Sequence, residues 1–210
     1  MQLEIKHLQR AIFTVDYIPT PELFDIGGRL ISSFIGELPQ FELSFEPTTM
    51  SFIRMRSGNR NLHIGLTQFT YFEDRPETFD VFVNDAIGKT QKFLSSTNIA
   101  TLARLGIRLI YRIPVEVERF VPLSTWYDIP GMQDSRISRF ELIDYQINLQ
   151  EKDNRIIITL GQQREEDRFY RTINLHHQYF SETKGDGLKE IVPRFIDVLL
   201  DTYKGFEKEG

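Results

Sequence analysis

From Arg104 to Ile113 the chain reads RLGIRLIYRI, and this alternation constrains the fold more than any other feature of the sequence. In an extended strand, successive side chains point to opposite faces. Leu105, Ile107, Leu109, Tyr111 and Ile113 therefore share one side, leaving Arg104, Gly106, Arg108 and Arg112 on the other. A helix would scatter these residues around its circumference; a strand sorts them into an apolar and a basic row. The same sorting recurs in FELSFE, where Phe41, Leu43 and Phe45 oppose Glu42, Ser44 and Glu46. It recurs again in IDYQINLQ, where Ile143, Tyr145, Ile147 and Leu149 oppose Asp144, Gln146, Asn148 and Gln150. Strands of this kind belong to an antiparallel sheet with one face against a core and one face polar.

The stretch SFIRMRSGNRNLHIG shows how two such strands meet. A two-residue turn at Gly58-Asn59, with positive φ at both positions, sets Met55 against Leu62 and Ile53 against Ile64. That register also places Arg56 opposite Asn61, Arg54 opposite His63 and Phe52 opposite Gly65 on the polar side. For Arg54, Arg56 and Arg60 the readings are, in order, a solvated or internally paired face, a protein interface, and a nucleic-acid surface. Acidic residues on neighbouring strands, Glu42, Glu46 and Asp144, are the expected partners of the arginines.

Strands are expected near 3–16, 41–46, 50–57, 61–71, 99–114, 137–150, 155–162 and 167–176. Apolar residues spaced by three and four predict helices over about 22–38, 76–95 and 188–206. Thr20-Pro21 opens the first and Asp74 leads the second; Pro193 should kink the first turns of the third or delay its start. Gly27-Gly28 falls inside the first helix, where close packing on a sheet is its reading. The element order is strand, helix, three strands, helix, then strand, long linker, three strands, helix. The fold class is α+β, a largely antiparallel sheet with helices packed on one face. It is read as a single domain over 1–210, with an internal duplication into half-repeats 1–98 and 99–210 as the finer reading.

Composition narrows the function classes. The chain has 210 residues, 40% apolar and 26% charged, which suits a folded soluble domain. It contains no cysteine, so disulfides, thiolate metal sites and cysteine nucleophiles are excluded, and a cytoplasmic location is expected. MQLEIKHLQR carries charge where a signal peptide needs an apolar core, and no apolar run approaches the length of a membrane span. A formal charge of -5 disfavours broad binding to phosphate backbones. Gly88-Lys89-Thr90 lacks the preceding glycine and strand of a phosphate loop, since Val83 stands five residues before Gly88. His176, His177, Glu182 and Asp186 form the densest group of titratable residues, but adjacent histidines on a strand face opposite ways, so no metal site and no cofactor are expected. Glu165-Glu166 reads as a solvated turn. RFVPLSTWYDIPGMQDS carries the only tryptophan, Trp126, beside Tyr127, with Phe120, Leu123, Ile129 and Met132. So long and apolar a connection either plugs the core, forms a self-association or partner surface, or makes a lid over a cleft.

AIFTVDY, FELSFEP, the hairpin followed by LTQFTYFEDRPETF and above all RLGIRLIYRI together resemble a sporadically distributed family of uncharacterised bacterial proteins. The resemblance covers roughly residues 10 to 115. Arg104, Gly106, Arg108 and Tyr111 fit its Arg-x-Gly-x-Arg strand motif, with the tyrosine slightly shifted, and Phe79 stands where an aromatic after the helix start is expected. It implies an organisation and no chemistry. The leading functional expectation is a non-enzymatic protein-interaction module, oligomeric or bound to a protein partner, using Arg54, Arg56, Arg104 and Arg108 or the Trp126-Tyr127 loop. The alternatives are an enzyme with a cleft between the halves, using His176, Glu182 and Arg108, and a nucleic-acid binder using Arg54, Arg56, Arg60 and Arg108. No membrane association is expected.

Overall fold

The computed structural model describes residues 3–46, 51–128 and 142–208. These form one antiparallel sheet of nine strands: β1 (Leu8–Asp16), β2 (Gln40–Glu46), β3 (Ser51–Ser57), β4 (Arg60–Gly65), β5 (Gln68–Asp74), β6 (Arg104–Val115), β7 (Leu142–Glu151), β8 (Asn154–Glu165) and β9 (Arg168–Tyr179). Their spatial order is β2-β3-β4-β5-β1-β6-β9-β8-β7. Three helices complete the α+β fold: α1 (Gly27–Phe34), α2 (Phe79–Ser95) and α3 (Leu188–Lys204). None of them is long and apolar enough to cross a membrane.

Register converts the alternation in sequence into two continuous surfaces. Phe13 faces Tyr71 on one side and Ile107 on the other, and Ile107 faces His177, which in turn faces Ile156. Phe13, Tyr71 and Ile107 are fully buried. Helix side chains meet this row: Phe82 of α2 stacks on Tyr71, Phe93 packs against Phe69 and Tyr17, and Phe195 of α3 lies 4.2 Å from the His177 ring. One residue along each strand, Ile12 faces Phe72 and Arg108, Arg108 faces His176, and His176 faces Ile157. The first row is core. The second belongs to the polar face.

The β3–β4 hairpin has the expected pairs Met55-Leu62, Ile53-Ile64, Arg54-His63 and Arg56-Asn61. At the turn Gly58 has positive φ and Asn59 does not, as a type II′ turn requires. Phe52 departs from expectation. A register shift between Ser51 and Ile53 pairs Ser51, not Phe52, with Gly65, and Phe52 swings into the core beside Phe24. The physical reason is that a bulge releases one residue from strict alternation, and an exposed phenyl ring gains from burial.

The expected strand over 61–71 is two strands. The chain turns a corner at Leu66 and Thr67, where Tyr17 donates its hydroxyl to the Gly65 carbonyl at 2.6 Å and the Tyr17 N–H bonds to Thr67 O. The corner leaves a trace in the sequence: buried positions are even at Leu62 and Ile64 and odd at Phe69 and Tyr71.

The helices also begin elsewhere than their periodicity suggested. Pro21 opens a 3-10 turn, Pro21–Leu23, and α1 starts separately at Gly27. The two glycines thus open the helix, where their backbone freedom costs least. Thr78, not Asp74, caps α2, its hydroxyl accepting the Val81 N–H at 3.1 Å. Asp74 ends β5 instead. Helix α3 starts at Leu188, so Pro193 does not delay it but lies inside it as the sixth residue, where it removes the N–H that would bond the Lys189 carbonyl and its ring crowds that carbonyl.

Candidate functional site

The open face of the sheet carries a charge unlike that of the whole chain. No lysine lies in any of the nine strands. On this face the register places Arg10, Arg54, Arg56, Arg104, Arg108, Arg112, Arg155 and Arg168 against Asp16, Glu42, Asp74, Asp144 and Glu165. That is eight cations to five carboxylates among the described residues, or six with Glu46, which stands opposite Ser51 in register. Arg60 does not join them. It pairs with Glu73 in register, on the opposite face, and its guanidinium reaches Asp85 of α2 at 3.4 Å. The hairpin arginines therefore divide two to one, because Arg60 is in the phase of Leu62 and Ile64.

Partners on the open face come from neighbouring strands, though not always the acids first expected. Arg104 meets Asp16 at 2.5 Å and Arg10 meets Asp74 at 2.5 Å. Arg56 donates to Gln40, Arg108 donates through Nε to Asn174 Oδ1 at 2.8 Å, and Arg112 pairs with Glu165. Glu42 stands opposite Arg54 in register. Asp144 lies opposite Gly161, and burial raises its carboxyl above the usual range.

At the junction of β5, β1, β6 and β9 this face sinks into a cavity of about 150 Å³. Ile12, Thr14, Gln68, Arg104, Gly106, Arg108, His176 and Gln178 line it. Strand pairing explains the gathering: Gly106 stands opposite Thr14 and Gln178, and Arg108 opposite His176. The imidazole of His176 is lowered to about 4, by burial first and then by the positive charges of Arg108 and Arg104, with smaller contributions from His177 and Arg155. It is neutral at physiological pH. Across the sheet, His177 is also lowered to about 4, and there burial alone is the cause.

The candidate catalytic residues are only partly assembled. Arg108 and His176 are cross-strand neighbours, while Glu182 is exposed in the segment between β9 and α3. The two halves are joined by direct β1–β6 pairing from Leu8 to Asp16, so what lies between them is this shallow cavity. His176 and His177 face opposite sides of the sheet, as their adjacency requires.

The segment around Trp126 folds back on the molecule. Val121 exchanges two hydrogen bonds with the Gln162 amide, and Asp128 and Lys208 bond through their backbones to Phe206 and Trp126. Tyr127 is buried and packs edge-on to Tyr203 of α3. Trp126 is half-buried, with the Arg171 guanidinium over its ring at 5.4 Å. Ile129 and Met132, and the start of the strand expected over 137–150, lie outside the described residues.

Sequence reasoning singled out Arg104, Arg108 and His176 but missed Thr14, Gln68 and Gln178. Strand phase marks Thr14 as a polar-face residue, but Gln68 shares the even phase of the buried Leu62 and Ile64 until the corner inverts it, and Gln178 lies beyond the strand expected over 167–176. Their meeting depends on that corner and on which strands are neighbours. It also missed a charge network on the helix side. Lys89, buried within α2, bonds to Glu37 at 2.9 Å and lies 3.9 Å from Asp85, while Asn59 and Tyr71 donate to the buried Glu73.

Compared with known proteins, the chain matches no family model and no curated protein.

Proposed function

We propose that this chain is a non-enzymatic interaction module that docks an acidic protein partner on the open sheet face. The observation that carries the reading is the excess of arginine over carboxylate on that face in a chain whose formal charge is -5. Arginine is the cation suited to planar, bidentate recognition of carboxylates, and lysine is missing from the strands altogether. The Trp126 segment enters this reading as a clasp over α3 and not as the docking surface, because Tyr127 and half of Trp126 are already covered.

Two finer features belong to the proposal. Counted inward from its two ends, the sheet runs β3-β4-β5-β1 after the extra edge strand β2, and β7-β8-β9-β6, with α2 following β5 and α3 following β9. This supports two half-repeats joined at β1 and β6, with helices on one face and the arginines on the other. Membership of the sporadically distributed bacterial family is proposed on the Arg104-Gly106-Arg108 strand, and a cytoplasmic setting on a sequence without cysteine.

The test is affinity purification of the full chain from its native host beside an Arg54→Ala, Arg56→Ala variant. A partner rich in Asp and Glu should be retained by the first and lost by the second, both proteins being equally folded. Nucleic acid is the competing occupant. Were it the ligand, log affinity for duplex DNA would fall with log salt by about 0.9 for each phosphate contacted. Submicromolar DNA or RNA binding lost in the double variant would overturn the protein-docking reading.

A further inference from the structure

The cavity at the centre of the open face has donors without acceptors. Arg108 spends Nε on Asn174, and neither of its terminal Nη groups meets an acceptor among the described residues. His176 and Gln178, which line the same cavity, make no side-chain hydrogen bond among the described residues. Arg104 is held by Asp16, and Gln68 donates to the same carboxylate at 3.0 Å, so the nearest acid is already engaged. The cavity is open because Gly106 forms its floor: a Cβ there would stand 3.6 Å from His176 Nε2 and 3.7 Å from His177 O.

Size and charge then select the ligand. A cavity of about 150 Å³ has room for a group of a few heavy atoms. The charged and titratable groups bearing on His176 are Arg104 and Arg108 on β6, Arg155 on β8 and His177 beside it, with Asp16 reached through Arg104. The surroundings are cationic. We propose that this cavity binds a single oxyanion group, a carboxylate or a phosphate, with Arg108 and Arg104 supplying charge and the His176 imidazole and Gln178 amide supplying hydrogen bonds. The inference names the ligand chemistry at the centre of the docking face and rests on that reading. A negative charge placed here offsets the arginines and so moves the imidazole of His176 back up toward its ordinary range.

Long-range proton–nitrogen NMR of the full chain reads His176 directly. Inorganic phosphate and acetate, titrated at constant ionic strength, should shift its ring signals saturably, with Kd of about 1–10 mM for so small a ligand. Bound ligand should also raise the pH midpoint of its titration. Arg108→Gln should weaken binding about tenfold or more. Gly106→Ala should weaken it too by filling the floor; the new methyl makes only ordinary contacts, so the fold is retained. Lys189→Gln, on exposed α3 surface, should change nothing. Shifts that do not saturate, or that are unaltered in both Arg108→Gln and Gly106→Ala, overturn the site. A hexaglutamate peptide separates the sources: saturation at lower concentration than acetate assigns the oxyanion to an acidic protein, and saturation by phosphate alone assigns it to a free anion. If phosphate binds here while the Arg54, Arg56 variant keeps its partner, the docking reading fails and the anion site stands.

Discussion

His176 and His177 are neighbours in sequence and opposites in environment. His177 is 2% exposed, stacks near Phe195 under α3, and is kept neutral by burial alone. His176 looks out over the open face, and cationic arginines add to burial in keeping it neutral. The two arrive at the same titration point by different physics, so a shift by itself does not mark a site. Both line cavities, His176 on the open face and His177 on the side of α3, and His177 Nδ1 is buried with no hydrogen-bond partner among the described residues. What separates them is the arginine charge that bears on His176.

The largest expected effect separates the two faces by stability. Phe13→Ala, at the buried centre of the core row, should cost about 3–5 kcal/mol, whereas Thr14→Ala, its neighbour on the polar face, should stay within about 1 kcal/mol. Denaturant unfolding of both variants measures the contrast; comparable losses would mean that the open face is also part of a core.

Acid should be the next largest effect. Both histidines have a folded pKa near 4 against 6.5 when unfolded. The unfolded chain therefore binds protons first as pH falls. The stability each contributes is complete above pH 6.5, declines between 6.5 and 4, and is gone below. For His177 the loss is at most about 3 kcal/mol, and His177→Leu should flatten that part of the pH–stability curve. Added salt sharpens the comparison: it should raise the midpoint of His176 by screening Arg108 and Arg104, and leave His177 nearly unmoved.

Trp126→Ala should cost about 2 kcal/mol, because the ring is half-buried and loses its contact with Arg171. Its oligomeric size, read by light scattering, should not change if the segment is a clasp. The smallest effect lies in the turns. The first half bends β3 into β4 at Gly58, but the hairpins of the second half place Lys152 and Glu166 at positive φ, 48° and 53°. Glycine at either position should stabilise by no more than about 1 kcal/mol, since relief of left-handed strain is offset by a more flexible unfolded chain.

Much of the site was visible as phase. RLGIRLIYRI assigns Arg104, Gly106 and Arg108 to one side of a strand without any knowledge of neighbours, and the hairpin assigns Arg54 and Arg56 likewise. Arg60 shows the limit of reading a cluster by eye: two residues beyond the turn, it belongs to the other face. Phe52 shows another, since a bulge costs little and its place depends on a ring, Phe24, far off in the chain.

What the sequence determined by itself was what short-range physics controls: period-two alternation, hence strands with a polar and an apolar side, the register of the β3–β4 hairpin, and three amphipathic helices. Those features follow from the geometry of consecutive residues. Tertiary structure alone decided that β1 lies between β5 and β6, and that β9 follows β6, which brings Thr14, Gln68, Arg108 and His176 around one glycine. It likewise decided that the Trp126 segment closes over α3. These outcomes depend on contacts between residues tens of positions apart, where many pairings satisfy the same local pattern and only the joint burial of the whole core selects one.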